Sequence, residues 1–103
     1  MIQEIDLNQK CEISSAQDFE NLSSLPYIVV LFTNPSTLSI FIKDKLNELN
    51  ILFFEVPHES ECCIKEGIEL FPTLRKLYFG RIVEELIGVP IEFNNNILYK
   101  FKN

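Results

Sequence analysis

The stretch GIELFPTLRKLYFGRIVEELIG, residues 67–88, decides the fold. Residues 73–79 and 81–87 are rich in β-branched, aromatic and other apolar residues, and Gly80 separates them. Two such runs around one glycine predict an antiparallel β-hairpin. Pro72 begins this unit, and Gly67 suits the left-handed position that closes a preceding helix.

Upstream of the hairpin, strand and helix patterns alternate. The runs 27–32 (YIVVLF) and 51–56 (ILFFEV) are continuously apolar or nearly so, which is typical of strands buried on both faces. Between them, apolar residues recur at helical spacing after Pro35, and Ser36 or Thr37 can cap that helix. Shorter patterns predict a strand near residues 10–13 and helices over about 15–24, 59–66 and 95–101.

This order, β-α-β-α-β-α-β-β-α, predicts an α/β domain with a mixed sheet of four to five strands flanked by helices. We assign residues 10–103 to the domain and residues 1–9 to an N-terminal extension. We expect residues 27–32 and 51–56 to pair in parallel. The predicted core includes Ile28, Val30, Phe32, Leu46, Phe53, Leu74 and Ile82.

Composition excludes several classes of function. The chain has 103 residues, 47% of them hydrophobic, and a net charge of −6, so it lacks the basic excess that a nucleic-acid surface requires. An anionic membrane surface is disfavoured for the same reason, and the longest apolar run is too short to span a bilayer. No secretory signal is visible at the start, so we expect a cytoplasmic protein with free thiols.

The order of elements and several residues resemble the thioredoxin superfamily. Within residues 67–88, seven residues have the same spacing as in thioredoxins, with no gap needed. They are Gly67, Ile68, Pro72, Thr73, Leu74, Gly80 and Gly88. YIVVLF resembles the strand before the active site of that family. The resemblance covers about residues 10–101 and implies that the Phe71–Pro72 bond is cis.

The chain departs from that family at the redox site. With one deletion after Phe32, the two cysteine positions fall on Ser36 and Ser39; without a gap they fall on Thr37 and Ile40. Neither alignment supplies a cysteine, and thiol–disulfide exchange needs a thiolate and a resolving thiol. We therefore expect no enzymatic thiol chemistry.

The remaining cysteines and the single histidine give no second site. Cys62 and Cys63 lie in a glutamate-rich segment, where nearby carboxylates raise a thiol pKa, and Cys63 fits an inward helix face. A metal site of Cys62, Cys63 and His58 would lack a fourth ligand and suitable spacing. Nothing predicts a metal, a cofactor, a phosphate loop or a small-molecule substrate.

Two non-catalytic functions are favoured over a third function, that of a thiol–disulfide oxidoreductase, and both require a protein partner. The first is a binding module whose groove beside Pro72 pairs with an extended segment, as in β-strand addition. Its predicted contacts are Pro35, Ser36, Leu38, Phe71, Pro72 and Thr73. Residues 32–49 and 72–74 also resemble the phosducin-like proteins, which are redox-inactive co-chaperones of the cytosolic chaperonin.

The second function is that of a small subunit docked in a larger assembly. Arg75 and Lys76 are consecutive in a strand, so one side chain points to each sheet face, where thioredoxin-like relatives usually place apolar residues. These charges would then mark a docking surface. Alternatively, both side chains reach solvent near the end of the sheet.

Overall fold

The computed structural model describes residues 11–12 and 20–102, and these residues form a mixed sheet with helices on both faces. The strands are β1 (Cys11–Glu12), β2 (Ile28–Thr33), β3 (Phe54–Pro57), β4 (Thr73–Tyr78) and β5 (Arg81–Ile87). The α-helices that lie wholly within these ranges are α1 (Thr37–Glu48), α2 (Glu61–Lys65) and α3 (Asn96–Tyr99), and a 3₁₀ helix covers Leu22–Ser24. None of the helices in the described ranges is long and apolar enough to cross a membrane.

The strands are arranged in the order β1-β3-β2-β4-β5. β3 pairs in parallel with β1 and β2, whereas β4 runs antiparallel to both β2 and β5. The carboxyl ends of β2, β3 and β5 therefore meet the amino end of β4 at one end of the sheet. We call this the Pro72 end; it is formed by residues 34–38, 57–60, 66–72 and 88–95.

β2 occupies the centre of the sheet, and all six of its residues are buried. Its alternate side chains contribute to two separate apolar clusters, one on each face. On the first face they pack with Leu22, Cys62, Cys63, Phe54, Val56 and Leu77. On the second they pack with Ile42, Leu46, Ile51, Phe53, Leu74, Leu98 and Phe101.

The hairpin turn is built on two residues with positive φ, Phe79 at 47° and Gly80 at 83°. Such a two-residue turn matches the right-handed twist of the strands that it joins. Gly80 is required because a Cβ here would also lie 3.0 Å from the Cβ of Ser23. The amide of Phe79 donates to the carbonyl of Leu25 at 3.1 Å, which fixes the turn against the preceding segment.

The element order, the parallel β2–β3 pairing and the antiparallel hairpin confirm the predicted architecture. Some boundaries differ: β3 begins at Phe54 rather than residue 51, α2 covers 61–65, and α3 covers only 96–99. Ile51 and Phe53 are nevertheless buried. The second half of the predicted helix over 15–24 is helical, with Leu22–Ser24 forming the 3₁₀ helix. Its first half, residues 15–19, and the extension 1–9 lie outside the described residues.

Ile82 is the one wrong member of the predicted core. It is 49% exposed, whereas the other six predicted residues are buried. Two features explain the error: β5 is an edge strand, and the register shifts opposite Lys76 and Leu77. An edge strand has a neighbouring strand on one side only, so its side chains have fewer neighbours. A bulge also redirects side chains. The apolar pattern of the sequence therefore overestimates the burial of Ile82.

These positions allow a matched test of the core. Leu74→Ala should lower the free energy of unfolding by about 2–5 kcal/mol, because it removes a fully buried side chain. Ile82→Ala in the paired strand should cost at most about 1 kcal/mol. Urea unfolding measures both, and equal losses would contradict the described arrangement of β4 and β5.

Candidate functional site

The turn that follows β2 is held by a compact hydroxyl–amide network. Ser36 caps α1, since its hydroxyl accepts from the amide of Ser39 at 3.2 Å. The hydroxyls of Ser36 and Ser39 both donate to Oδ1 of Asn34, at 2.6 and 2.8 Å. The amide of Asn34 donates back to the Ser39 hydroxyl at 3.2 Å. The side chains of Asn34, Ser36 and Ser39 are thus held in place by hydrogen bonds to one another.

This geometry distinguishes between the two alignments of the redox positions. The hydroxyl oxygens of Ser36 and Ser39 are 3.3 Å apart at the start of α1, and Ser39 is buried. Thr37 is the first residue of the helix, and Ile40 points outward with 55% of its surface exposed. The geometry therefore favours the alignment in which Ser36 and Ser39 occupy the two cysteine positions. Their hydroxyl groups cannot form a disulfide.

The Phe71–Pro72 peptide bond is cis, as predicted. Pro72 and Thr73 are buried rather than exposed to a partner. Thr73 pairs with Phe32 on one side and Ile87 on the other, and its hydroxyl donates to the carbonyl of Leu70 at 2.7 Å. The expectation that Thr73 offers its backbone to a partner is therefore wrong.

Phe71 differs from its two successors. No backbone hydrogen bond to its amide or carbonyl is found within the described part of the chain. The carbonyl of Pro72, by contrast, accepts from the amide of Gly88 at 2.7 Å. Phe71 thus continues the line of β4 with a backbone donor and a backbone acceptor that the sheet does not use.

Apolar residues also occur in the segments at this end of the sheet, and the pairing of Phe32 with Thr73 places the turn after β2 beside the start of β4. Phe71 is half-buried, while Pro35 and Leu38 on the turn after β2 are exposed, Leu38 by 50%. In the loop after β5, Phe93 packs edge-on against Phe41 of α1 with ring centroids 5.1 Å apart. The Pro72 end therefore offers apolar surface on the turn and on the strand beside it.

His58 belongs to this end of the sheet, although sequence reasoning assigned it no role. Its ring meets that of Phe71 edge-on, with centroids 6.2 Å apart. The parallel β2–β3 pairing, which the sequence did predict, was the available signal. It brings the residues after the two strands to the same edge.

Arg75 is tied to the protein itself. It is only 8% exposed; its Nε donates to Glu85 at 2.7 Å and its Nη1 to Glu66 at 3.0 Å. Its guanidinium also lies over the ring of Phe32, 5.5 Å from the centroid. The alternative that Arg75 reaches solvent is therefore wrong, and its role as a docking residue stays a prediction.

Lys76 lies on the opposite face of the sheet and is half-buried. Its ammonium donates to the carbonyls of Lys100 and Lys102 at 3.3 and 3.5 Å, and it lies 5.0 Å from the ring centroid of Tyr27. The side chain holds the segment after α3 against the sheet. These contacts leave little of it for a partner.

Cys62 and Cys63 are buried members of the first apolar cluster. Burial, with a smaller contribution from the neighbouring Cys62, raises the pKa of the Cys63 thiol from 9.0 to about 11. The thiol donates to the carbonyl of Pro57 at 3.4 Å. Across the described residues, no group of three or more His, Cys, Asp or Glu side chains is arranged to hold a metal ion.

No protein-family model matches the sequence, and a comparison with curated proteins finds no significant match. Solved structures do match. Thioredoxin from Trypanosoma brucei brucei has a TM-score of 0.76 at 17% identity, over 98% of this chain and 94% of that one. Mitochondrial thioredoxin 3 from Saccharomyces cerevisiae gives 0.72 at 18% identity (88% and 91%), and Plasmodium falciparum thioredoxin gives 0.70 at 22% (89% and 93%). The chain therefore has a thioredoxin-like fold, as predicted.

The cap at Ser36 can be tested by stability. Ser36→Ala should lower the free energy of unfolding by about 1 kcal/mol, because an amide of the first turn of α1 loses its acceptor. Ser36→Thr keeps the hydroxyl and should remain close to wild type. Urea unfolding followed by circular dichroism compares the two, and an unchanged alanine variant would contradict the capping role.

Stability should also fall in alkali because of Cys63. Below pH 9 the thiol is protonated in both the folded and the unfolded chain, so it has no effect. Between about pH 9 and pH 11 the unfolded chain ionises this group and the folded protein does not. The unfolded state is then favoured by about 1.4 kcal/mol per pH unit.

Other groups titrate in this range, so the measurement is a difference. The free energy of unfolding of wild type should fall more steeply above pH 9 than that of Cys63→Ala, in urea titrations at several pH values. Parallel pH profiles would contradict the raised pKa.

Proposed function

We propose that this protein is a non-catalytic thioredoxin-like module that holds an extended segment of a protein partner at the Pro72 end. The observation that carries the proposal is the open backbone of Phe71 next to exposed apolar side chains of the α1 turn. A segment in β conformation would exchange backbone hydrogen bonds with Phe71, which extends the sheet by one short strand. Its side chains would contact Pro35, Leu38 and Phe71.

The groups at the turn support a non-catalytic role. Thiol–disulfide exchange needs a thiolate at the helix start, and Ser36 and Ser39 are bound into the network with Asn34 instead. The Cys63 thiol is buried and remains protonated at neutral pH. A buried, protonated thiol is a poor nucleophile, so Cys62 and Cys63 act as apolar core residues.

Two narrower readings fit this role. One is a cytoplasmic co-chaperone of the phosducin-like kind, which is consistent with the residues at 32–49 and 72–74. The other is a small accessory subunit of a larger assembly. Because Arg75 and Lys76 are bound internally, the subunit reading depends on the same Pro72 end as the binding module does.

An oxidoreductase is the competing function, since the matching structures include thioredoxins. Insulin reduction with dithiothreitol as electron donor tests it. We expect no turnover by wild type above the uncatalysed rate. The Ser36→Cys/Ser39→Cys double variant supplies the positive control, because it restores two thiols at the start of α1. Wild-type turnover that disappears in Cys62→Ser/Cys63→Ser would overturn the proposal.

Binding is tested with peptides selected from a random library displayed on phage. Leu38→Ser and Phe71→Ser each replace an apolar contact by a neutral polar one, and both should lose most of the affinity for selected peptides in fluorescence anisotropy. Phe79→Ser makes the same change at the far end of the hairpin, where Phe79 is 49% exposed, and should bind normally.

Folding of each variant is checked by thermal unfolding. Leu38 is exposed at the start of α1, so its variant remains informative even if Phe71→Ser is destabilised. Wild-type affinity in a folded Leu38→Ser or Phe71→Ser protein would exclude this surface as the binding site.

A further inference from the structure

The Pro72 end carries charge of one sign. The segments 34–38, 57–60, 66–72 and 88–95 that form it contain Glu59, Glu66, Glu69 and Glu92, and they contain no lysine or arginine. Their only potential cation is His58. An incoming segment therefore meets an apolar surface with an acidic rim.

Not all of these carboxylates are available to a partner. Glu66 is engaged by Arg75 at 3.0 Å. Glu59 lies 3.8 Å from Nδ1 of His58, but its side chain is 79% exposed and the histidine is charged only when protonated. Glu69 and Glu92 are exposed, and no ion pair to either is found within residues 20–102. Glu59, Glu69 and Glu92 therefore supply the accessible charge of the rim.

Both residues belong to segments next to the open backbone. Glu69 precedes Phe71 by two residues. Glu92 lies in the loop after β5, which is anchored by the hydrogen bond from Gly88 to Pro72 and by the packing of Phe93 against Phe41. An extended segment spans about 3.3 Å per residue, so a partner segment of several residues would extend well beyond Phe71 in both directions.

Several basic side chains of the protein are engaged elsewhere. Ion pairs join Lys43 to Glu55, Lys45 to Glu48, Lys65 to Glu20 and Lys100 to Glu84. They therefore do not offset the rim of the Pro72 end.

We propose that the partner segment is basic: an extended stretch with an apolar residue at its centre and lysine or arginine on both sides. This inference rests on the proposed function and specifies its partner. The apolar residue would contact Leu38 and Phe71, and the flanking cations would lie near Glu69 and Glu92. Such rim charges change the association rate and the choice of partner more than the total affinity.

A second copy of this chain is the weaker occupant on electrostatic grounds. Each copy carries a net charge of −6, and the Pro72 end would meet another acidic surface. Like charges placed opposite each other oppose association.

The test uses three synthetic peptides with the central sequence Ser-Val-Phe-Val-Ser. Each peptide carries two identical residues on each side of this sequence: lysine, glutamine or glutamate. The three peptides thus have the same length and the same centre but opposite or no charge in the flanks. By fluorescence anisotropy at low salt, the lysine peptide should bind on the order of tenfold more tightly than the glutamine peptide, as expected for two surface charge pairs. The glutamate peptide should bind more weakly still, and added NaCl should reduce these differences.

One further peptide and two double variants locate the effect. A lysine peptide with proline at its centre cannot pair as a strand and should lose binding. Glu69→Lys/Glu92→Lys should reverse the order of the peptides. Asp44→Lys/Glu48→Lys makes the same change in net charge on the exposed face of α1 and should preserve the order.

The outcomes separate this inference from the proposed function. If the three peptides bind equally and Leu38→Ser abolishes their binding, the groove stands and the basic partner is excluded. If the proline peptide binds as well as its parent, or if the control variant also reverses the order, charge acts without strand pairing and the inference fails. Absence of binding by every peptide, including those selected from the library, would overturn both proposals.

Discussion

The burial of β2 on both faces is the constraint on which the rest of the structure depends. Six consecutive buried residues require cover on both faces of the sheet and paired strands on both edges. α1, Leu98 and Phe101 cover one face, while Leu22, Cys62 and Cys63 cover the other. β2 ends at Thr33 and α1 begins at Thr37. The buried central strand therefore fixes the position of the turn at Asn34–Ser36.

The Arg75 network shows how this packing accommodates a charge. Arg75 pairs with Val30 across the sheet, directly against the central strand, where an isolated guanidinium would be costly. Glu66 from the segment after α2 and Glu85 from β5 neutralise it, and the ring of Phe32 lies beneath it. The arginine thereby joins α2, β4 and β5. Either glutamate alone could still pair with Arg75, whereas removal of both would leave its buried charge without a carboxylate.

The sequence predicted what depends on local pattern. Continuous apolar runs identified β2 and the buried residues of β3. The two strand-like runs on either side of Gly80 identified the hairpin. The sequence did not predict burial and contacts that depend on the packing of other elements. Ile82 has a strand-like apolar context but lies in an uncovered edge strand. Arg75 is buried with Glu66 and Glu85 as its partners. His58 meets Phe71 because β2 pairs in parallel with β3 and antiparallel with β4.

The hydroxyl network explains how the turn can keep its shape without cysteines. At the start of α1, an amide needs an acceptor whatever chemistry the site performs, and Ser36 supplies it. Asn34 then accepts from both hydroxyls, so each serine is held by hydrogen bonds rather than left free to react. The geometry beside Phe71 is thereby maintained by groups that are inert at neutral pH. Under the proposed function, this end of the sheet would recognise its partner by shape and charge.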